Sequence, residues 1–243
     1  MTDFKSRVAP DYKQKLKAVL DQATKAGSKG LLVFDLDSTV FDNRPRQSRI
    51  LREYGQELSI AALEACEPKH WDSGWDLKAA MLACGLSPEL TEKHYQDAKN
   101  FWGSKFFTSE YCVDDIEVPG ASDYLAASVK TGAQVVYVTG RHEEMRAGSV
   151  KAMEKCKMPV PGGSVSLVMK PSLRESDDAY KVSAHAELAK MGTVIAAFDN
   201  EPTHANDYAR KFPDATVIHL ATDHSGRPVE LEARIISVPD LKL

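Results

Sequence analysis

Leu31-Leu32-Val33-Phe34-Asp35-Leu36-Asp37-Ser38-Thr39-Val40-Phe41 is the stretch on which the fold of this 243-residue chain turns. Four apolar residues run directly into two carboxylates and a hydroxyl, the pattern of a short buried strand whose C-terminal end carries acidic chemistry. In open α/β sheets that end of a strand is where ligands bind. Alternate side chains of an extended chain share a face, so Asp35 and Asp37 project together, with Thr39 next in the alternation, while Leu36 turns to the core. Two carboxylates so placed repel, and either a shared proton or a hard cation between them relieves the repulsion. A bound Mg²⁺ is the simpler arrangement. Taken alone, the two acids also suit an ordinary turn after a core strand, so the rest of the chain decides.

Working outward, the length suits one α/β domain with a modest insertion. The balance of 31 basic and 35 acidic residues, −4 overall, offers no polybasic footprint, so neither nucleic acid nor an anionic membrane is an expected partner. The opening Met-Thr-Asp-Phe-Lys-Ser-Arg carries no apolar leader, and no apolar run approaches the roughly 18 residues that span a bilayer. A cytoplasmic protein is the expectation. Cys66, Cys84, Cys112 and Cys156 are widely spaced, with neither Cys-x-x-Cys nor a Cys/His cluster in the sequence, so reduced thiols are expected rather than a zinc site or a disulfide framework. The seven histidines are equally scattered and read as surface or packing residues.

Residues 1–29 read as a helix, with Leu16, Val19 and Leu20 at helical spacing among lysines and Gly27-Ser28-Lys29-Gly30 as its stop. After the first strand, residues 42–118 hold no convincing strand. Leu51, Tyr54, Leu58 and Ala62 mark one amphipathic helix, Leu77, Ala80, Met81 and Cys84 a second, and Leu90, His94, Ala98 and Phe101 a third begun by Ser87-Pro88. This helical insertion contains Trp71, Trp75 and Trp102 with Phe101, Phe106 and Phe107. These aromatics supply the module's own core, or one or two of them face a substrate ring.

From Val118-Pro119-Gly120 strands and helices alternate: helix 121–131, strand 134–138, helix 143–157, strand 165–169, helix 178–191, strand 194–198, helix 202–212 and strand 216–220, with 234–238 as a further candidate strand. Such alternation implies right-handed crossovers and a parallel sheet covered on both faces. A core of 1–41 with 119–243, interrupted by a helical module at 42–118, is the expected division.

Three later strand ends carry chemistry. Thr139-Gly140-Arg141 offers a hydroxyl, an unhindered backbone N–H and a nearby helix end to an anion, with Arg141 able to add a bidentate grip. Lysines stand at Lys170 and at Lys181, and Asp199-Asn200-Glu201 closes the strand at 194–198. With Asp35-x-Asp37-x-Thr39, these four motifs in this order resemble those of the haloacid dehalogenase superfamily, over about residues 31–220. The resemblance implies a Rossmann-like α/β/α core of strand order 5-4-1-2-3, a helical type 1 cap at 42–118, and Mg²⁺ as cofactor. The stretch Asp177 to Lys181 is similar to the phosphatase module of polynucleotide kinases, which favours Lys181 over Lys170 as the third-motif lysine. The 18 residues between Lys181 and Asp199 also leave room for one helix and one strand.

Carried onto this chain, the resemblance makes Asp35 the nucleophile, Asp37 the general acid and base, and Thr139 and Lys181 the stabilisers of the transferring phosphoryl group. Gly140, Arg141 and Lys170 bind substrate, and Asp35, Asp37 and Asp199 hold the metal. Family members commonly carry two acids at the fourth motif. Here Asn200 takes the second place, with Glu201, Asn206 or Asp207 as substitutes. The implied activity is Mg²⁺-dependent phosphomonoester hydrolysis of a small phosphorylated metabolite or mononucleotide. A phosphotransferase, a nucleic-acid-end phosphatase and a non-catalytic metal- or phosphate-binding module are the alternatives, and no oligomeric state is implied.

Overall fold

In the computed structural model, which describes residues 4–243, β1 (Gly30–Phe34) is buried at every position. Its neighbours explain this: β4 (Gln134–His142) pairs along one edge and β6 (Thr193–Asp199) along the other, both parallel. A strand enclosed by two others and covered on both faces needs a continuous apolar run, which Leu31 to Phe34 supplies. Burying each of these side chains contributes about 1.5–3 kcal/mol.

With β5 (Val165–Lys170), β7 (Thr216–Leu220) and β8 (Ile236–Val238), the sheet runs β5-β4-β1-β6-β7-β8, and every pairing is parallel. Counted in chain order from β1, and omitting the two-residue strands described below, five of these strands read 5-4-1-2-3 from the far side. The sixth, β8, adds an edge beyond the fifth.

Alternation along β1 sorts its side chains between two helical layers. Leu31 and Val33 pack with Tyr180, Ala184 and Leu188 of α8 (Asp177–Met191) and with Ala205 and Tyr208 of α9 (Pro202–Lys211). Phe34 meets Tyr124 of α6 (Ala121–Lys130) edge-on. The Tyr124 hydroxyl in turn donates to Leu16 O of α1 (Tyr12–Ala26) at 3.0 Å. Asp35, two residues after Val33, therefore faces the α8 layer.

Contacts divide the chain into two compact units, one of 4–41, 117–143 and 153–243, the other of 42–116 with 144–152. The second unit holds α2 (Arg44–Leu58), α3 (Ala61–Glu64), α4 (Leu77–Ala83) and α5 (Pro88–Phe106). Two-residue strands β2 (Phe41–Asp42) and β3 (Ile116–Glu117) pair with each other. Sequence patterning places 144–152 with the sheet, but this start of α7 (Arg146–Lys155) groups with the helices. Gly148 accounts for it: its N–H donates to Ser109 Oγ at 2.8 Å, and a Cβ there would collide with the Ser109 backbone.

Trp71 lies in the core of the helical unit with Leu51, Leu63, Cys66 and Met81. Trp102 stacks on Phe106 at 4.5 Å and donates to Gln47 Oε1, while Trp75 is 67% exposed. Among the described residues no helix is long and apolar enough to cross a membrane.

Candidate active site

The sheet unit assembles its chemistry at the C-terminal ends of β1, β4 and β6. Asp35 N donates to Phe198 O at 2.9 Å, extending the β1–β6 ladder by one step. Phe34 and Phe198 are register partners, and their rings stack at 4.4 Å. The next residue on each strand is an aspartate, so Asp35 and Asp199 stand side by side, both buried.

Lys181, in the first turns of α8, reaches down between them. Its Nζ lies 2.6 Å from Asp35 Oδ1 and 2.9 Å from Asp199 Oδ2, and the lysine is 2% exposed. Burial alone disfavours the ammonium, but the charges of Asp199 and Asp35 outweigh it and hold the lysine well above its ordinary range. Asp199 is pushed up by burial and pulled down further by Lys181 and His204, so it stays ionised. For Asp35 burial wins: despite Lys181, its carboxyl is raised to about 7, with the charges of Asp199 and Asp37 adding to the shift.

Asp37 stands at the rim. The chain turns sharply after it, with Ser38 in the left-handed region at φ 58° and both Val40 N and Phe41 N donating to Leu36 O at 2.9 Å. A non-glycine residue there costs about 1 kcal/mol. The Thr222 hydroxyl braces the turn by donating to Ser38 O. Arg141 clasps the Asp37 carboxylate with two donors, Nη2 to Oδ1 at 2.6 Å and Nε to Oδ2 at 3.0 Å.

Strand β4 continues through Thr139, Gly140 and Arg141 to His142, four residues beyond the end expected from sequence. Thr139 is fully buried and its Oγ1 accepts the Arg141 N–H at 3.2 Å. Gly140 lies in close approach: a Cβ would meet the Asp177 carboxyl carbon at 3.0 Å, so that carboxylate would have to give way. That same carboxylate receives Lys170, whose Nζ lies 2.5 Å from Asp177 Oδ1 and 3.0 Å from Glu175 O. Of the two lysines singled out in the sequence, Lys181 sits on Asp35 and Asp199. Lys170 is committed to the start of α8.

At the fourth motif Asn200 is engaged through both ends of its amide, accepting from Thr39 Oγ1 at 3.1 Å and donating to Asp223 O at 2.5 Å. Glu201 anchors the following loop by accepting from Ser225 N and pairing with Arg227. Two expected substitutes lie elsewhere. Asn206 points from α9 to the C-terminal stretch, where it exchanges hydrogen bonds with the backbone of Glu230 and Glu232, and Asp207 pairs with Arg210 of its own helix.

Sequence reasoning passed over a polar rank behind Asp199. His204 Nε2 lies 2.9 Å from Asp178 Oδ1 and its Nδ1 3.6 Å from Asp199 Oδ1, while Arg227 forks onto Asp178 at 2.7 and 3.2 Å. Burial disfavours a charged His204, yet Asp199 raises it above its usual value. The available signal was spacing: His204 falls in the first turn of a helix that starts three residues after Asp199.

The arrangement suits a hard cation. Asp35, Asp37 and Asp199 present only oxygen donors, and three carboxylates stand against two cations, Lys181 and Arg141. Positive charge is what the raised Asp35 lacks.

No protein-family model matches the chain, and no curated protein sequence matches it. Among solved structures it is similar to a dehalogenase in an intermediate complex, at 16% identity and a TM-score of 0.51, over 88% of this chain and 95% of that one. It is also similar to the class C acid phosphatase of Bacillus anthracis with tungstate bound, at 13% identity and 0.43, over 83% and 68%. A haloacid dehalogenase-like hydrolase of Streptococcus pneumoniae gives 10% identity and 0.49, over 88% and 94%. The likeness to the dehalogenase spans nearly all of both chains and shows a shared fold, a parallel sheet between helical layers.

Proposed function

We propose that this chain is an Mg²⁺-dependent phosphatase that hydrolyses the phosphomonoester of a small metabolite or mononucleotide through an aspartyl-phosphate on Asp35. The observation that carries the reading is Lys181 held between two buried carboxylates, Asp35 and Asp199, at 2.6 and 2.9 Å, with Asp37 two residues along at the rim. A lone buried ion pair needs one acid for one base. Here Lys181 faces two acids, and the third, Asp37, is held by Arg141 at the rim, a set of oxygen donors that suits a cation.

In the first half-reaction an Asp35 carboxylate oxygen attacks phosphorus and the bond to the leaving oxygen breaks, while Asp37 gives that oxygen its proton. In the second, Asp37 takes a proton from water, whose oxygen attacks phosphorus and frees Asp35 with inorganic phosphate. Lys181 neutralises charge beside the nucleophile, and the Thr139 hydroxyl and Gly140 N–H hold a phosphoryl oxygen. Arg141 trades part of its grip on Asp37 for the incoming phosphate, which frees Asp37 to hold its proton. Asp35, Asp199 and the Asp37 backbone carbonyl would hold Mg²⁺, which would supply the positive charge that lets two anions approach and keeps Asp35 ionised. Residues 42–118 are read as the family's helical cap, which favours small substrates.

The test is phosphate release from an aryl phosphate and a panel of phosphorylated metabolites, with and without Mg²⁺, for the native chain and Asp35→Asn. Mg²⁺-dependent release that the substitution abolishes is expected. Absence of release from every panel member, or release that survives Asp35→Asn, overturns the proposal.

A further inference from the structure

Three ligand-bearing side chains that the proposed reaction leaves unused meet inside the helical unit. The donor atoms of Cys66, His70 and Cys84 all lie within 4.8 Å of one another, and among the described residues no other group of three such side chains does so. Cys66 follows α3, His70 ends a 3-10 turn at Pro68–His70, and Cys84 closes α4. Cys84 Sγ lies 3.6 Å from His70 Nδ1. With metal–sulfur bonds of about 2.3 Å and metal–nitrogen bonds of about 2.0 Å, a sulfur and a nitrogen on one tetrahedral cation stand about 3.5 Å apart. The spacing is already that of a coordination edge.

A second observation points the same way. The Trp71 indole N–H is buried and finds no nitrogen or oxygen acceptor. Trp71 packs in the same core cluster as Cys66. Donors behind a ligand sulfur are how proteins support a bound thiolate. Cys66 is fully buried while Cys84 and His70 are half-buried, so the group is closed behind and open in front, where water can complete a fourth position. His70 Nδ1 now accepts the N–H of exposed Glu67 at 3.0 Å, and that N–H can turn to solvent when the lone pair is taken.

We propose that Cys66, His70 and Cys84 form a binding site for a thiophilic cation of the Zn²⁺ type, separate in chemistry from the carboxylates of the sheet unit. Two sulfurs and an imidazole select Zn²⁺ over Mg²⁺, as carboxylates do not. Binding involves no redox step: the thiols give their protons to solvent and the sulfurs and the imidazole bond the cation. The cation ties the stretch 59–76, which holds little beyond α3 and one 3-10 turn, to the end of α4.

Co²⁺ serves as the spectroscopic probe on the reduced, chelator-stripped full chain. One equivalent is expected to give thiolate-to-cobalt charge-transfer absorption with tetrahedral ligand-field bands, both lost on adding Zn²⁺, and Zn²⁺ is expected to raise the melting temperature. Cys84→Ser and His70→Ala, half-buried positions that spare the core, should weaken Zn²⁺ binding at least 10-fold. Cys156→Ser and Asp35→Asn should leave the charge-transfer band intact. The proposal is overturned if the reduced protein shows no such band, or if the band persists in Cys84→Ser. It is also overturned if mass spectrometry finds a Cys66–Cys84 disulfide that returns to free thiols without taking up metal.

Discussion

Each unit of this molecule buries an ion pair, and the two are built to different ends. In the helical unit Arg46 Nε lies 3.0 Å from Asp115 Oδ1 with both side chains fully buried. Its other donors reach Phe106 O at 3.1 Å and Cys112 Sγ at 3.7 Å, and its guanidinium lies 3.9 Å over the Phe106 ring. Arg46 meets Asp115, and its Nη1 ends on neutral acceptors. In the sheet unit Lys181 meets two anions, a third stands at the rim, and burial leaves Asp35 poised near neutrality. A closed pair holds a fold together, whereas an unbalanced one is prepared for a visitor.

The comparison can be broken in several ways, of which Lys181→Met is the most severe. It strands Asp35 and Asp199 as buried like charges, so stability should fall by about 3–5 kcal/mol in urea unfolding, and phosphatase turnover should fall by at least about 10²-fold. Arg46→Met should cost a similar ~3–5 kcal/mol yet leave turnover per folded molecule near that of the native chain. Loss of turnover in Arg46→Met protein that stays folded would erase the distinction. Asp37→Asn separates chemistry from stability: kcat should drop about 10²–10⁴-fold, with unfolding shifted by no more than about 1 kcal/mol.

A smaller effect concerns pH. Burial lowers His219 to about 4 from 6.5, so the unfolded chain binds its proton more readily. Its contribution is therefore complete above about pH 6.5 and is lost as pH falls toward 4, on the order of 3 kcal/mol. Unfolding free energies measured across that range should fall less steeply in His219→Gln. Smallest of all, Lys170→Met, which frees the half-exposed Asp177 and the Glu175 carbonyl, should change turnover less than about 10-fold and so separate the two lysines kinetically.

The sheet was readable because burial on both faces forces unbroken apolar runs, and each run here ends in a residue of the candidate site: Phe34 before Asp35, Val138 before Thr139, Phe198 before Asp199. Lys181 was readable from the length left for one helix and one strand. The extension of β4 to His142 was not, because Thr-Gly-Arg looks like a turn when only its own residues are considered, and it is the neighbouring β5 that carries the pairing on. The thiol cluster was hidden for a related reason. Cys66 and Cys84 are 18 positions apart with no motif spacing, and they meet only because α4 folds back over an irregular stretch. Asn206 and Asp207 misled because acidic or amide character near Asp199 says nothing of which side of α9 it occupies.

The stacked Phe34 and Phe198 rings have a mechanical consequence. They directly precede Asp35 and Asp199, on strands locked side by side by the sheet ladder, so the backbones that carry the two carboxylates are held near the roughly 4.8 Å spacing of neighbouring strands. The pair behaves as the fixed jaw of a vice. In the proposed reaction the movable parts are therefore at the rim, in the long side chain of Arg141 and the strained turn at Ser38, rather than in the strands that carry Asp35 and Asp199.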